Sequence, residues 1–408
     1  MFNTILRRYR RLPNLPFVDK LGYAVWKGLF RRLIARKVLT PTGDLRQPRT
    51  KKSPWPIPKK TYRRIISANG FMWSGSSATA GLIGEYANVT SEHEGTWSEF
   101  EIVRGAGGLL ALENVLKERN VFERDLAIRL FMCYAEHLYV NCQSFYGEEF
   151  LVATREFVNE IIDIKSVGKV GVDFCRHVAA LGVDGINHIL GRPLDHEGEC
   201  VFYLKDLTTA EFRVIASRYV RKILSAIESE EIMLLDQGSA DFTNDIDRMR
   251  DYFGPDMISV YTWRDPRDVF TAANVARELG REQGMVPEDP ESFVRWYKSM
   301  HRELLGYKHD HLLVVRFEDL IFDYDAIVKQ VEEACHLKPE EHVRPKALFN
   351  PPESLAVSVG LWREYSEKSE ENKRQIEYIF KALPDFCYTK PYVIPKRITR
   401  TSTGVMAQ

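Results

Sequence analysis

The chain has 408 residues, of which 44% are hydrophobic and 28% charged, as is usual for a soluble globular protein. Six scattered cysteines include no C-x-x-C pair, which argues against a zinc site or redox dithiol and favours reduced thiols in the cytoplasm. The usual metal-ligand motifs are also missing, so we expect no metal. The net charge of zero is uneven: residues 1–64 carry 18 Lys and Arg against two Asp (+16), and the rest of the chain carries −16.

The basic N-terminal segment contains a predicted amphipathic helix over residues 17–39. Leu21, Val25, Leu29 and Leu33 form its apolar stripe at helical spacing, while most of its cations lie off that stripe. The segment is too charged to span a bilayer and lacks the long uncharged run of a signal peptide. Two interpretations stay open: a helix on an anionic membrane surface, or a helix packed on the protein's own body.

Residues 40–60 are rich in Pro and Lys and indicate a linker, so residues 1–60 are predicted to form an extension. The basic stretch contains no recognisable nucleic-acid-binding motif, and no nucleic-acid partner is expected. The predicted location is cytoplasmic, with peripheral attachment to the inner face of a membrane if the helix contacts lipid.

The first motif of the body resembles a phosphate-binding loop. A β-branched run, RRIISA, is followed by the loop and then by a predicted helix over residues 77–86. Gly70, Gly75 and Ser77 match G-x-x-x-x-G-K-[ST], but Ser76 occupies the lysine position. A strand, tight loop and helix place N–H groups around an anion, and Ser74, Ser76 and Ser77 add hydroxyls. An ordinary Ser/Gly turn is the alternative.

Two further strand-to-helix junctions follow. Met257–Trp263 is predicted as a buried parallel strand, with Asp265 capping the next helix, so Arg264 lies at the strand's carboxyl end, where α/β sheets bind ligands. Its guanidinium could bind two phosphate oxygens, or it could pair with a structural carboxylate. Residues 311–337 repeat the strand–turn–helix pattern, and RFEDL is interpreted as a corner held by local ion pairs.

Together these motifs resemble the sulfotransferases that use 3′-phosphoadenosine 5′-phosphosulfate (PAPS), and the resemblance covers roughly residues 63–390. It implies an α/β fold with a central parallel sheet, a P-loop-like phosphate loop and flanking helices, and a reaction that needs no metal. The matching segments are Ser74-Gly75-Ser76-Ser77, Arg264 to Val269 and Arg316 to Leu320. The resemblance implies that the loop binds the 5′-phosphosulfate. It assigns the 3′-phosphate to Arg264 and to the SVGLWREY segment, with Ser358, Gly360, Trp362 and Arg363.

The sequence departs from the family pattern at two positions. Trp73 stands where family members carry Lys or Arg before the Ser-Gly pair, so either another cation stabilises the leaving phosphate or activity is low. Arg104 could replace the missing cation or bind an anionic acceptor. Ala272 stands where the family places a serine. Thr271 or Asn274 could replace that hydroxyl contact.

The domain prediction places a sulfotransferase domain at residues 61–395 and a flexible tail at 396–408. Residues 109–230 show mainly helical spacing, with four helical segments, and are interpreted as a large helical insertion that contributes an acceptor cleft. A structural helical layer without ligand contacts is compatible with the same pattern.

The resemblance implies candidates for the catalytic base in two segments of the chain. Residues 231–245 are predicted to contain a buried strand ending at Asp236, in the place where the family strand ends near the acceptor. His93 and Glu94 lie about where carbohydrate-acting relatives place a glutamate base. Solvated loop charges are the alternative for each.

The resemblance thus predicts transfer of a sulfuryl group from PAPS to a hydroxyl of a glycan or glycolipid, such as a lipid-linked saccharide. The glycan preference rests on the large insertion and the many aromatic residues. Two alternatives remain: a catalytically silent nucleotide-binding scaffold of the same fold, which Trp73 and Ala272 favour, and a P-loop nucleotide kinase, which the missing lysine disfavours.

Overall fold

The computed structural model describes residues 64–91, 101–167, 200–225, 231–236, 246–280 and 285–393, apart from 106, 119, 142, 302, 303 and 305. The predicted N-terminal extension, the predicted tail, and the candidate base residues His93 and Glu94 lie outside the described residues.

Two β-sheets are present in the described part of the chain. Their strands are, in chain order, β1 (Arg64–Asn69), β2 (Val89–Ser91), β3 (Ile162–Val167), β4 (Cys200–Leu204), β5 (Ile232–Asp236), β6 (Ile258–Trp263) and β7 (Leu312–Arg316). Five strands form a parallel sheet in the order β2-β5-β1-β6-β7, while β3 and β4 pair antiparallel. The predicted α/β class with a central parallel sheet is confirmed.

Helices cover the sheet. They are α1 (Ser76–Gly84), α2 (Glu101–Arg104), α3 (Leu109–Asn114), α4 (Val121–Asn141), α5 (Gln143–Ile161), α6 (Thr209–Leu224), α7 (Ile246–Phe253), α8 (Pro266–Glu278), α9 (Pro290–His301), α10 (Phe317–Phe322), α11 (Tyr324–Cys335), α12 (Pro351–Ser358), α13 (Leu361–Lys368) and α14 (Glu370–Ala382). None of the described helices is long and apolar enough to cross a membrane.

The central strands are buried along their length because helices cover the sheet. Every residue of β6 is buried, and β1 is buried from Ile65 onward. Such strands appear in the sequence as continuous apolar or β-branched runs rather than as an alternating pattern. This is why β1, β5 and β6 could be predicted from short apolar runs.

A hydrophobic core joins the helices between residues 109 and 224 to the central sheet, since its members include Ile65 of β1 and Leu235 of β5. Helices α4, α5 and α6 contribute to it, with Phe131, Phe157 and Tyr219 in ring contact. Helix α6 begins with a capping box in which Thr208 and Glu211 satisfy each other's main-chain N–H groups.

Not all of this region is helical, although its residue spacing is mainly helical. Helix α5 ends at Ile161, and strand β3 begins at Ile162. Strand β3 is stabilised by main-chain pairing with β4, and Asp125 Oδ1 accepts a 2.8 Å hydrogen bond from the N–H of Phe202 in β4. The partner strand begins 33 residues after β3 ends, so local periodicity carries no signal for it.

Candidate functional site

The predicted phosphate loop connects β1 to α1. Gly75, the N-cap residue of α1, has φ 88° and lies in the left-handed region that favours glycine. It has no side chain to cap the helix, and no acidic residue occupies the first turn, so the positive end of α1 faces the loop without a built-in counter-charge. The Ser74 hydroxyl is buried and hydrogen-bonds to none of the described residues.

Arg264 lies next to this loop. Strands β1 and β6 are parallel neighbours in the sheet, so their carboxyl ends reach the same edge. Hydroxyl groups of Thr79 in α1 and Thr262 in β6 are 2.7 Å apart and link the two units. Arg264 Nη1 donates a 3.0 Å hydrogen bond to the carbonyl oxygen of Trp73, inside the loop. The structure therefore brings the two proposed anion-binding elements together.

Two main-chain carbonyls hold the Arg264 guanidinium in this structure. Besides the Trp73 carbonyl, the carbonyl oxygen of Ser358 accepts a hydrogen bond from Nη2. A guanidinium has five N–H donors, and the buried Arg264 Nε donates to none of the described residues. Arg264 thus bridges the phosphate loop and the segment before α13 while retaining unused donors.

Trp73 has an unusual backbone conformation for a residue with a large side chain, with φ 63°. This left-handed conformation costs a non-glycine residue about 1–2 kcal/mol. It accompanies the carbonyl contact to Arg264, while 36% of the tryptophan side chain remains exposed. Trp73, which departs from the family pattern, thus contributes to the geometry of the site through its backbone conformation and its carbonyl contact to Arg264.

Phe317, the first residue of α10, contacts both proposed anion-binding elements. A Cβ atom added at Gly75 would come within 2.3 Å of Phe317 Cδ2, so the glycine backbone lies directly against the ring. Arg264 Cζ lies 5.2 Å from the centroid of the same ring. The motif RFEDL placed Phe317 at a predicted strand-to-helix corner. No sequence pattern indicated that its ring contacts Gly75 and Arg264.

A buried network of charged groups follows Arg264 in the chain. Asp265 caps α8 and forms an ion pair with Arg267, whose Nη2 lies 2.6 Å from Asp265 Oδ2. Glu318 Oε1 accepts a 3.0 Å hydrogen bond from the main-chain N–H of Asp265. The corner expected at RFEDL is thus held in part by a carboxylate–amide contact between two strand ends.

Two buried carboxyl groups in this region, those of Glu318 and Asp268, have raised pKa values. Burial, helped by the neighbouring Asp265 and Asp268, raises the pKa of Glu318 to about 8. Burial also raises the pKa of Asp268 to about 6, against the opposing effect of Arg264. The raised pKa of Glu318 favours its neutral form, which lowers the cost of burying this group beside the neighbouring carboxylates.

The C-terminal segment predicted to contact the 3′-phosphate docks on the same helix end. Main-chain N–H groups of Gly360 and Trp362 donate to Asp268, at 2.8 and 3.2 Å. Arg267 Cζ lies 4.2 Å from the centroid of a Trp362 ring, and Arg363 Cζ lies 4.4 Å from that of Tyr392. The segment reaches Arg264 through the Ser358 carbonyl, while Gly360 and Trp362 direct their amides to Asp268.

The structure distinguishes the two possible substitutes for the serine that Ala272 replaces. Asn274 Oδ1 accepts a hydrogen bond from Arg277 Nη1 on its own helix. Thr271 is 2% exposed, and its hydroxyl hydrogen-bonds to none of the described residues. Thr271 is therefore the better candidate for an additional polar contact.

The proposed catalytic residues are only partly described. Asp236 ends β5, and its backbone is in register with Ala68 of β1, one residue before the end of that strand. Its main chain thus lies at the same sheet edge as the phosphate loop. Arg104 is the last residue of α2 and is half-buried. Within the described ranges, no group of three or more His, Cys, Asp or Glu side chains could hold a metal ion.

No family model and no curated protein matches the sequence. Several solved sulfotransferase structures are similar to this chain. The sulfotransferase domain of the Synechococcus PCC 7002 olefin synthase is 12% identical, with a TM-score of 0.34, over 83% of this chain and 99% of that domain.

The sulfotransferase domain from the curacin biosynthetic pathway is 11% identical, with a TM-score of 0.34, over 81% of this chain and 99% of that domain. Sulfotransferase STF1 from Mycobacterium tuberculosis H37Rv is 16% identical, with a TM-score of 0.32, over 71% and 72% of the two chains. These proteins are sulfotransferases, as are the members of the family that the sequence motifs resemble.

Proposed function

We propose that this chain binds PAPS and transfers its sulfuryl group to a hydroxyl of a glycan or glycolipid. The main supporting observation is the hydrogen bond from Arg264 to the Trp73 carbonyl, because it joins the phosphate loop to the arginine of a different strand. An adenine nucleotide with phosphates at its 5′ and 3′ positions has two anionic ends, and the two elements that we propose to bind them lie side by side at this edge of the sheet.

The residues fit such a ligand in their chemistry. The positive end of α1 suits the 5′-phosphosulfate, since it lacks a side-chain cap and an acidic first turn. Unused donors of Arg264 suit the 3′-phosphate, with the buried Thr271 hydroxyl as an added contact. The absence of the Walker lysine is compatible with this ligand, which has no γ-phosphate to hold.

The proposed reaction is an in-line displacement at sulfur. The acceptor oxygen forms a bond to sulfur as the bond to the bridging phosphate oxygen breaks, leaving adenosine 3′,5′-bisphosphate. A general base receives the hydroxyl proton, and Asp236, Glu94 and His93 remain the candidates. As in phosphoryl transfer, positioning and stabilisation of the developing charge would supply most of the catalysis.

The proposal is tested by calorimetric titration of the full chain with adenosine 3′,5′-bisphosphate. Arg264→Ala is expected to weaken binding at least about tenfold, since a hydrogen bond to a charged group contributes about 1.5–3 kcal/mol. Arg250→Ala is the matched control, because Arg250 also donates to a main-chain carbonyl, that of Pro255, through Nε and Nη2. Equal affinity of wild type and Arg264→Ala would remove Arg264 from the site and refute the proposal.

A second candidate function is a nucleotide-binding protein of the same fold without transferase activity. Trp73 favours it, because no cation occupies the position before the Ser-Gly pair and the Trp73 carbonyl already engages Arg264. PAPS binding without sulfate transfer to a panel of saccharide and glycolipid acceptors would support this function. A preference for ATP over adenosine 3′,5′-bisphosphate would instead support the nucleotide kinase.

A further inference from the structure

Phe317 occupies a place that the proposed reaction does not by itself explain. The side chain is 3% exposed and belongs to the core cluster that packs beneath the sheet edge. Its ring leaves no room for a side chain at Gly75, and the Arg264 guanidinium lies over the same ring. A single rigid side chain therefore contacts both elements proposed to bind the two ends of the nucleotide.

The ring itself is held in place by its neighbours. Arg316, the residue before it, places its Cζ 4.0 Å from the centroid of a Trp263 ring at the end of β6. Glu318, the residue after it, accepts the Asp265 N–H. The corner between β7 and α10 is thus attached on both sides to the strand end that carries Arg264, and Phe317 projects from this corner onto Gly75.

We infer that Phe317 is a positioning residue that sets the separation between the phosphate loop and Arg264, and so lets the site discriminate nucleotides with two phosphorylated ends from those with one. The inference rests on the proposed function. Binding at both ends gains affinity only when the two anion-binding elements are already at the right spacing, because any reorganisation is subtracted from that gain. Removing the ring frees both elements to shift.

The discrimination ratio is defined as the dissociation constant for adenosine 5′-phosphate divided by that for adenosine 3′,5′-bisphosphate. A contact between Phe317 and the adenine ring would change both constants alike and leave this ratio unchanged. A loss of spacing would weaken the bisphosphate selectively, so the ratio separates positioning from a simple binding contact.

The experiment measures the discrimination ratio by calorimetry for wild type and three variants of the full chain. A wild-type ratio of at least about ten is expected from one charged contact at the 3′ end. Phe317→Leu is expected to lower this ratio at least about threefold, a loss of roughly 0.7 kcal/mol of discrimination. Phe317→Tyr, which keeps the ring, is expected to retain the wild-type ratio.

Ile321→Val is the stability control, because Ile321 lies on the same helix and in the same core cluster as Phe317. Its expected ratio is that of wild type even if its melting temperature falls. A wild-type ratio in Phe317→Leu overturns the inference, as does an equal fall in Ile321→Val. If Arg264→Ala also binds the bisphosphate like wild type, the proposed function fails as well, so the two failures are distinguishable.

Discussion

Gly75 shows how one residue constrains the site. Its φ of 88° is in the left-handed region, and Phe317 fills the space where a side chain would lie. The glycine pattern was visible in the sequence, and it correctly indicated a tight turn. The ring against it could not be predicted, because Phe317 lies 242 positions later and only the sheet order brings the two together.

Gly75→Ala is predicted to destabilise the protein more than Gly280→Ala does. Both glycines have positive φ, so each alanine incurs about 1–2 kcal/mol of left-handed strain. Nothing lies within 4 Å of a Cβ at Gly280, whereas at Gly75 the Cβ meets the Phe317 ring, adding about 1–3 kcal/mol of overpacking. Unfolding by denaturant measures both changes.

A double variant completes this test. Combining Gly75→Ala with Phe317→Leu is expected to recover part of the lost stability, because the smaller side chain makes room for the new methyl group. Equal destabilisation by Gly75→Ala and Gly280→Ala would show that the ring contact at Gly75 is not tight.

Among the elements, the strand-to-helix junctions were the most predictable. An apolar run, a turn and an amphipathic helix are local patterns, and Asp265 and Pro266 marked the start of α8 through capping chemistry. The pairing of β3 with β4 and the docking of the segment before α13 on Asp268 were not predictable, since both depend on contacts between distant parts of the chain.

Glu318, at the junction between β7 and α10, is predicted to make the stability of the protein depend on pH. Because burial raises the pKa of Glu318 from 4.5 to about 8, the folded state favours the protonated form. The stabilisation that comes from protonated Glu318 is fully present below pH 4.5 and is lost as the pH rises to about 8. The free energy of unfolding of wild type should therefore fall between these values.

Glu318→Gln is expected to flatten this decline, because glutamine is neutral throughout and keeps an oxygen to accept the Asp265 N–H. Denaturant unfolding at several values between pH 5 and pH 8 measures the slope. Glu371→Gln, on the exposed surface of α14, controls for the loss of one negative charge. A slope in Glu318→Gln as steep as in wild type would mean that Glu318 does not hold the proton.

At the scale of the whole molecule, the sheet order places β1 at the centre and β5 and β6 on either side of it. The loop after β1, the end of β5 with Asp236, and Arg264 after β6 therefore share one edge. Open parallel sheets bind ligands at the carboxyl ends of their strands, so we propose this edge as the place where the nucleotide and its acceptor meet.

The uneven charge of the chain bears on whether the protein binds an anionic membrane surface. Residues 1–64 carry a net charge of +16, and residues 17–39 are predicted to form an amphipathic helix with cations off its apolar stripe. Each basic residue near an anionic bilayer contributes about 1 kcal/mol of attraction at low salt. We therefore expect the full chain to bind vesicles containing phosphatidylserine, and to bind pure phosphatidylcholine vesicles much more weakly.

Two triple variants decide whether the predicted helix is responsible. Replacing Arg31, Arg32 and Arg36 by Gln should reduce vesicle binding in a flotation assay by about 3 kcal/mol, or roughly a hundredfold. Replacing Lys51, Lys52 and Lys59 of the linker removes the same charge outside the helix and should have a smaller effect. If both variants lose binding equally, net charge alone drives the attraction. No binding to phosphatidylserine vesicles even at low salt, where charge attraction is least screened, would favour a helix packed on the protein's own body.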